Sequence, residues 1–116
     1  MVGGRDRIET FDETKISALL KEYKERKKVE AIFGTKDEMV DFADKCLNNI
    51  EPYEKDIIVN TCIEGVSLRQ YAKISGFSRD TVTKERKRIL DMLARFFNKA
   101  GIGNLKTNES GELLTD

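Results

Sequence analysis

The sequence predicts an all-α fold, a small helical bundle of about five helices that ends in a tight helical hairpin with a long second helix. Three observations predict it. Apolar residues recur at three- and four-residue spacing along most of the chain, and the alternation of strands is absent. A single proline, Pro52, occurs in 116 residues, so long uninterrupted helices are permitted. Glycines and short polar residues punctuate the pattern where helices would start and stop, as at Gly34, Gly65 and Gly76. The length suits one compact domain plus an appendage. The expected division is a charged helical segment over 1–34, a domain over 35–100 and a loose tail over 101–116.

The first helix is expected to start near Phe11 or Asp12 and run towards Phe33. Ile16, Leu19, Leu20 and Tyr23 form a one-sided stripe. The stripe then gives way to Lys24-Glu25-Arg26-Lys27-Lys28, too polar all round to bury. That stretch suits a solvent-crossing helix or a lever to a partner chain. Gly34 stops it. Thr35 opens the next helix, with Glu38 at capping-box spacing. Met39, Val40, Phe42, Ala43, Cys46, Leu47 and Ile50 supply its broad apolar face. Pro52 suits the first turn of a third helix, where no amide hydrogen is needed. Tyr53, Ile57, Ile58, Thr61 and Cys62 are expected to line one side of it, and Gly65 to end it. After Ala100, Gly101, Gly103 and Gly111 with Asn, Thr and Ser between them read as the tail.

Hydrophobic residues make up 39% and charged residues 36%, an ordinary soluble composition tilted towards surface charge. No apolar run approaches the ~18 residues that span a bilayer. Met1–Thr10 holds no apolar stretch of the signal-peptide kind. A cytoplasmic location is expected, with no membrane partner. Cys46 and Cys62 sit inside helical patterns and histidine is absent, so two thiols cannot close a four-ligand zinc site. They read as small buried hydrophobes, and no metal or cofactor is expected.

The formal net charge is zero, but it is unevenly spread. Residues 1–65 carry 11 basic and 15 acidic side chains, residues 66–99 carry 9 and 3, and residues 100–116 carry 1 and 3. One stretch is therefore +6 within a neutral chain. That is the footprint of a polyanion site.

The cationic stretch also holds the most informative pattern. Ser67 can cap a short helix with Leu68, Tyr71, Ala72 and Ile74 inside. Ala72 is small enough for a second helix to cross closely. Four residues on, Gly76 tolerates the positive φ of a sharp reversal. Phe77 is expected to plug the corner and Ser78 to cap the second helix, which Val82, Ile89 and Leu93 hold against the core. This is the grammar of a helix-turn-helix that offers its second helix to the major groove of double-stranded DNA. Stepping 100° per residue from Val82 turns Asp80, Lys84, Lys87 and Asp91 furthest outward, with Thr81, Thr83 and Arg88 beside them. The expected base-edge contacts are Arg79, Asp80, Thr83 and Lys84. Lysine donates to guanine, aspartate accepts from the cytosine amine, and a threonine methyl meets thymine. Lys87 and Arg88, with Ser67 and Arg69, suit phosphates, and Ser78 and Thr81 complete the expected DNA-binding set. Ile89, Leu90, Met92, Leu93, Phe96 and Phe97 carry the helix on to about Asn98. Its second half has too much apolar area for one small hairpin, so it must pack on the earlier helices, on a partner subunit, or on both.

Gly76-Phe-Ser-Arg-Asp-Thr-Val-Thr-Lys-Glu-Arg-Lys-Arg-Ile-Leu90 resembles the second half of the region 4 helix-turn-helix of sigma-70 family factors. Ile50–Ile58 and Ile63–Leu68 are similar to the helix and turn that precede it there. The likeness covers about residues 50–97, and it extends to the sigma-4-like regulators of phages and mobile elements of the ArpU and RinA kind. It implies a major-groove reader acting at promoters, with Arg79, Asp80, Thr83 and Lys84 near the −35 element. Two positions depart from the pattern. Thr83 stands where an arginine is usual. Glu85 replaces an apolar residue, which implies either a rotated helix or a pair between Glu85 and a nearby arginine. Nothing in residues 1–49 resembles the aromatic-rich domain that melts promoters, so the expectation is a transcription regulator that borrows the module. Monomer and homodimer both remain open.

Two other classes are compatible with parts of the sequence. One is a protein-interaction module whose basic face serves RNA polymerase or another acidic partner. A related DNA-packaging subunit fits less well, because the motif lies near the C-terminal end. An enzyme is not expected. Without histidine, acid–base work would fall on carboxylates and lysines, and these are scattered at helix spacings that read as solvated faces. No glycine-rich phosphate loop occurs.

Overall fold

The computed structural model describes residues 10–102, and every regular element among them is helical. From residue 103 the expected tail lies outside the described residues. The order is α1 (Glu13–Lys21), α2 (Tyr23–Phe33), α3 (Glu38–Leu47), α4 (Pro52–Ile58) running into one π turn (Val59–Ile63), α5 (Leu68–Ser75) and α6 (Arg79–Ala100). The expected helix over 11–33 is therefore two helices. They meet at Glu22, whose φ of −93° and ψ of 1° leave the helical ladder. The break falls where the apolar stripe ends, so α1 turns into the core while α2 follows the surface.

Asp12 caps α1, its carboxylate accepting from the Lys15 amide at 2.9 Å. At α3 the cap is Asp37, not Thr35. Asp37 accepts from the Val40 amide while Arg26 of α2 holds the same carboxylate at 2.8 Å. That long-range ion pair selects the later start. Burial pushes the Asp37 carboxyl up, but the hydrogen bonds from Arg26 and from the Val40 and Met39 amides outweigh it and leave it below the usual range. Pro52 occupies the first turn of α4 as expected, behind a reciprocal Glu51–Glu54 capping box. Gly34, Gly65 and Gly76 all take positive φ, and Gly65 follows directly on the turn that closes the π segment.

One cluster forms the core. It joins Ile16, Leu19 and Leu20 of α1 with Cys46 and Leu47 of α3, Ile57 and Ile58 of α4, Tyr71 of α5, and Val82, Ile89, Leu90, Leu93 and Phe97 of α6. The division expected at Gly34 does not run through this core, because α1 packs on α6. The apolar second half of α6 is thus covered within the chain at Ile89, Leu90, Leu93 and Phe97, while Phe96 stays exposed. Phe97 packs tilted against Phe11 and edge-to-face against Phe42, at ring distances of 5.0 and 4.9 Å. Asn98 closes that end with a reciprocal pair: it accepts from the Phe11 amide at 2.7 Å and donates to the Phe11 carbonyl at 3.0 Å. Cys46 and Cys62 are free and buried, as expected, and burial pushes the Cys46 thiol up to about 11.

α2 has no buried residue, in keeping with its polar composition. It is moored to its neighbours by charge. Lys27 reaches Asp44 at 2.8 Å and Asp41 at 3.5 Å, Arg26 holds Asp37, Lys24 pairs with Glu64, and Tyr23 donates to Asp44. Three side chains depart from expectation. Tyr53 is exposed at the start of α4. Ile74 and Phe77 point outward, so the corner is not plugged by Phe77. α5 is anchored instead by Tyr71, which is buried and donates to Asp56 of α4. No helix among the described residues is long and apolar enough to cross a membrane.

Candidate nucleic-acid interface

The α5–turn–α6 unit is built as its sequence dictates. Ser67 Oγ accepts from the Gln70 amide at 3.1 Å and starts α5. α5 stops at Gly76 with φ of 85°, and the Gly76 amide donates to Ala72 O at 3.0 Å. Ser78 then starts α6. Its Oγ accepts from the Thr81 amide at 3.1 Å and donates to Thr81 Oγ1 at 2.9 Å. The first half of α6 is two-faced. Val82 and Ile89 are fully buried, which fixes the rotation of the helix, and Arg79, Asp80, Thr81, Thr83, Lys84 and Lys87 face solvent.

The outward residues differ in what they already hold. Arg69 and Arg79 make no ion pair among the described residues. Lys84 lies 3.6 Å from Asp80, with side chains 78% and 83% exposed, a pair too solvated to constrain either partner. Thr83 Oγ1 donates back to Arg79 O at 2.9 Å, which leaves its methyl uncommitted. Ser78 Oγ closes the cap and donates to Thr81 Oγ1, whose own proton has no acceptor among the described residues. Ser67 keeps its hydroxyl proton for an outside acceptor.

Lys87 and Arg88 are engaged within the chain. Lys87 lies between Glu13 at 3.1 Å and Asp91 at 3.3 Å, and hydrogen bonds to these carboxylates raise its pKa. Arg88 donates to Glu54 at 2.6 Å, to Glu85 at 2.8 Å and to the Tyr53 hydroxyl at 3.2 Å. Glu54 is the one buried charged side chain among the described residues, and Arg88 is the cation that neutralises it. Of the two alternatives implied for Glu85, the pair with an arginine is the one present, since Glu85 lies 2.8 Å from Arg88. The Arg88 bonds draw its carboxyl below the usual range. Arg88 therefore ties α6 to α4.

Lys73 was missed by the sequence reading. It is exposed, makes no ion pair among the described residues, and stands one turn after Arg69 on α5. Its signal was present in that four-residue spacing. On α5 and the first turns of α6, Arg69, Lys73, Arg79 and Lys84 carry positive charge that no strong ion pair holds, and further along α6 Arg86, Arg95 and Lys99 make no ion pair among the described residues. The N-terminus of α6 adds its own positive potential near Arg79. No family model matches this chain, and no curated protein or solved structure matches it.

Proposed function

We propose that this chain is a sequence-specific transcription regulator that binds double-stranded DNA. The start of α6 would enter the major groove in the manner of sigma region 4. The observation that carries this reading is the contrast along one helix: Val82 and Ile89 are fully buried, while Arg79, Asp80, Thr83 and Lys84 are exposed beside a capped N-terminus. Arg79 and Lys84 have the donors that guanine N7 and O6 accept. Asp80 can accept from the cytosine amine, and the Thr83 methyl can meet thymine. Arg69, Lys73 and Ser67 on α5 suit the flanking phosphates and fix register without reading sequence. Selection of bound duplexes from a random pool tests this directly. A recovered consensus supports the reading, and no retained duplex even at low salt refutes it.

One observation favours a second reading. Ile74 and Phe77 are 71% and 40% exposed and present an apolar corner beside the basic face. An apolar corner next to cations suits a protein partner such as RNA polymerase. Capture of polymerase by a chain that retains no duplex would favour it.

A further inference from the structure

A groove runs between α1 and α6, and Glu13, Ser17, Lys21, Arg86 and Leu90 help to line it. Asn98 bonds to Phe11, Lys87 to Glu13 and Arg86 to Ser17, so α1 runs antiparallel to α6. From Glu13 to Lys21 the groove therefore leads towards the start of α6, the end that carries Arg79, Thr83 and Lys84. At 100° per residue, Arg86 lies about 40° from Val82, on the side of α6 that turns to the core. It is half-buried and makes no ion pair among the described residues, whereas the other half-buried arginine there, Arg26, holds Asp37. The guanidinium of Arg86 donates only to Ser17 Oγ, at 3.5 Å. That long bond satisfies one donor and none of the charge. A half-buried cation without a counter-ion favours an anion from outside. Lys21 is exposed and also makes no ion pair among the described residues. Glu13, the acidic residue of the groove, is already held by Lys87 at 3.1 Å.

We propose that this groove binds a backbone phosphate of the DNA duplex, with Arg86 and Lys21 supplying the charge. The proposal rests on the major-groove reading of α6 and extends the interface to α1, which precedes the helix-turn-helix. The planar fork of Arg86 matches two phosphate oxygens at once, and Lys21 adds a point charge beside it. Ser17 accepts from Arg86 and keeps its own hydroxyl proton to donate. Lys87 borders the groove and is turned outward with Lys84, so the groove opens beside the face offered to DNA. A phosphate held there would fix how α6 sits in the major groove without reading a base.

Salt titration of duplex binding by the full chain and its variants tests this, on the duplex recovered by selection. Lys21→Ala and Arg86→Gln should each lower the slope of log K against log salt by about 0.9, with the same consensus recovered. Arg86→Lys should keep the parent slope, because a cation remains. Lys21 is exposed, so Lys21→Ala should melt like the parent, and it carries the test alone if Arg86→Gln loses its fold. Ethylation of single phosphates locates the contact. One phosphate whose ethylation weakens binding by the parent chain should cease to matter to Lys21→Ala. If the parent retains duplex while Lys21→Ala keeps both its slope and its ethylation pattern, this proposal is overturned and the major-groove reading stands. If the parent retains no duplex at any salt, both are overturned.

Discussion

Replacing Arg88 with Met separates two roles that one side chain can hold. The substitution keeps most of the apolar stem and removes the guanidinium. It leaves Glu54, whose side chain is 9% exposed, without the cation 2.6 Å away. Stranding one partner of a fully buried pair costs about 3–5 kcal/mol. Here the cost is smaller. The Arg88 side chain is 44% exposed, so solvent already screens the pair. Glu54 also keeps a 3.0 Å bond from the Glu51 amide. About 2 kcal/mol remains after these reductions. For a domain of this size that lowers the melting temperature by roughly 8–16 °C. Urea titration of Arg88→Met, Glu54→Gln and the double variant is the assay. The double variant should be more stable than the sum of the single losses allows, because it strands no buried charge. If Arg88→Met is as stable as the parent chain and instead weakens duplex binding, Arg88 belongs to the DNA face and this account of it is wrong.

Acid should destabilise the fold through Asp37 and Glu85. Both folded carboxyls lie below their ordinary values of 3.8 and 4.5, so their stabilisation is complete above those values and is lost as pH falls through the lower folded ones. A urea midpoint that stays level as pH drops below 4.5 would contradict those pairings. Gly76→Ala should cost about 1–2 kcal/mol. The positive φ alone is responsible, since an added methyl meets nothing within 4 Å; a melt equal to the parent would show that the turn relaxes. Asn98→Ala removes both bonds to the Phe11 backbone and should cost about 1–2 kcal/mol. Unchanged amide exchange at the start of the chain would show that Asn98 does not tie that end to α6.

Much of the helix-turn-helix was legible because its determinants are local. Ser67, Gly76, Ser78 and Val82 act within four residues of themselves, through a cap, a positive φ or one buried face, and each stands where its type implies. Pro52 and Gly34 were legible for the same reason. What escaped depends on residues distant in sequence. Asp37 starts α3 because Arg26 sits across from it. Arg88 is drawn to Glu54, 34 residues away, a pairing that no helical period reveals. Tyr53 was assigned inward by spacing, yet its hydroxyl reaches Glu85 and Arg88 at the surface. Helix spacing points Ile74 inward and the turn position points Phe77 into the corner, whereas Tyr71 is the side chain of α5 that is buried and both others are exposed. The candidate DNA face kept its outward residues but shifted its centre of charge. Lys87 and Arg88 are tied to carboxylates, and near the start of α6 and on α5 it is Arg69, Lys73, Arg79 and Lys84 that no strong ion pair holds.

The salt dependence of duplex binding tests the central claim most directly. Each cation that neutralises a phosphate contributes about 0.9 to the slope of log K against log salt. Arg69→Ala and Lys73→Ala should each lower the slope by about that amount, with little change in sequence preference. Arg79→Ala and Lys84→Ala should relax the preference at single base positions, and Arg88→Met should leave the slope unaltered. Binding that is independent of salt, or a slope reduced by Arg88→Met and untouched by Arg69→Ala and Lys73→Ala, would contradict the proposed face.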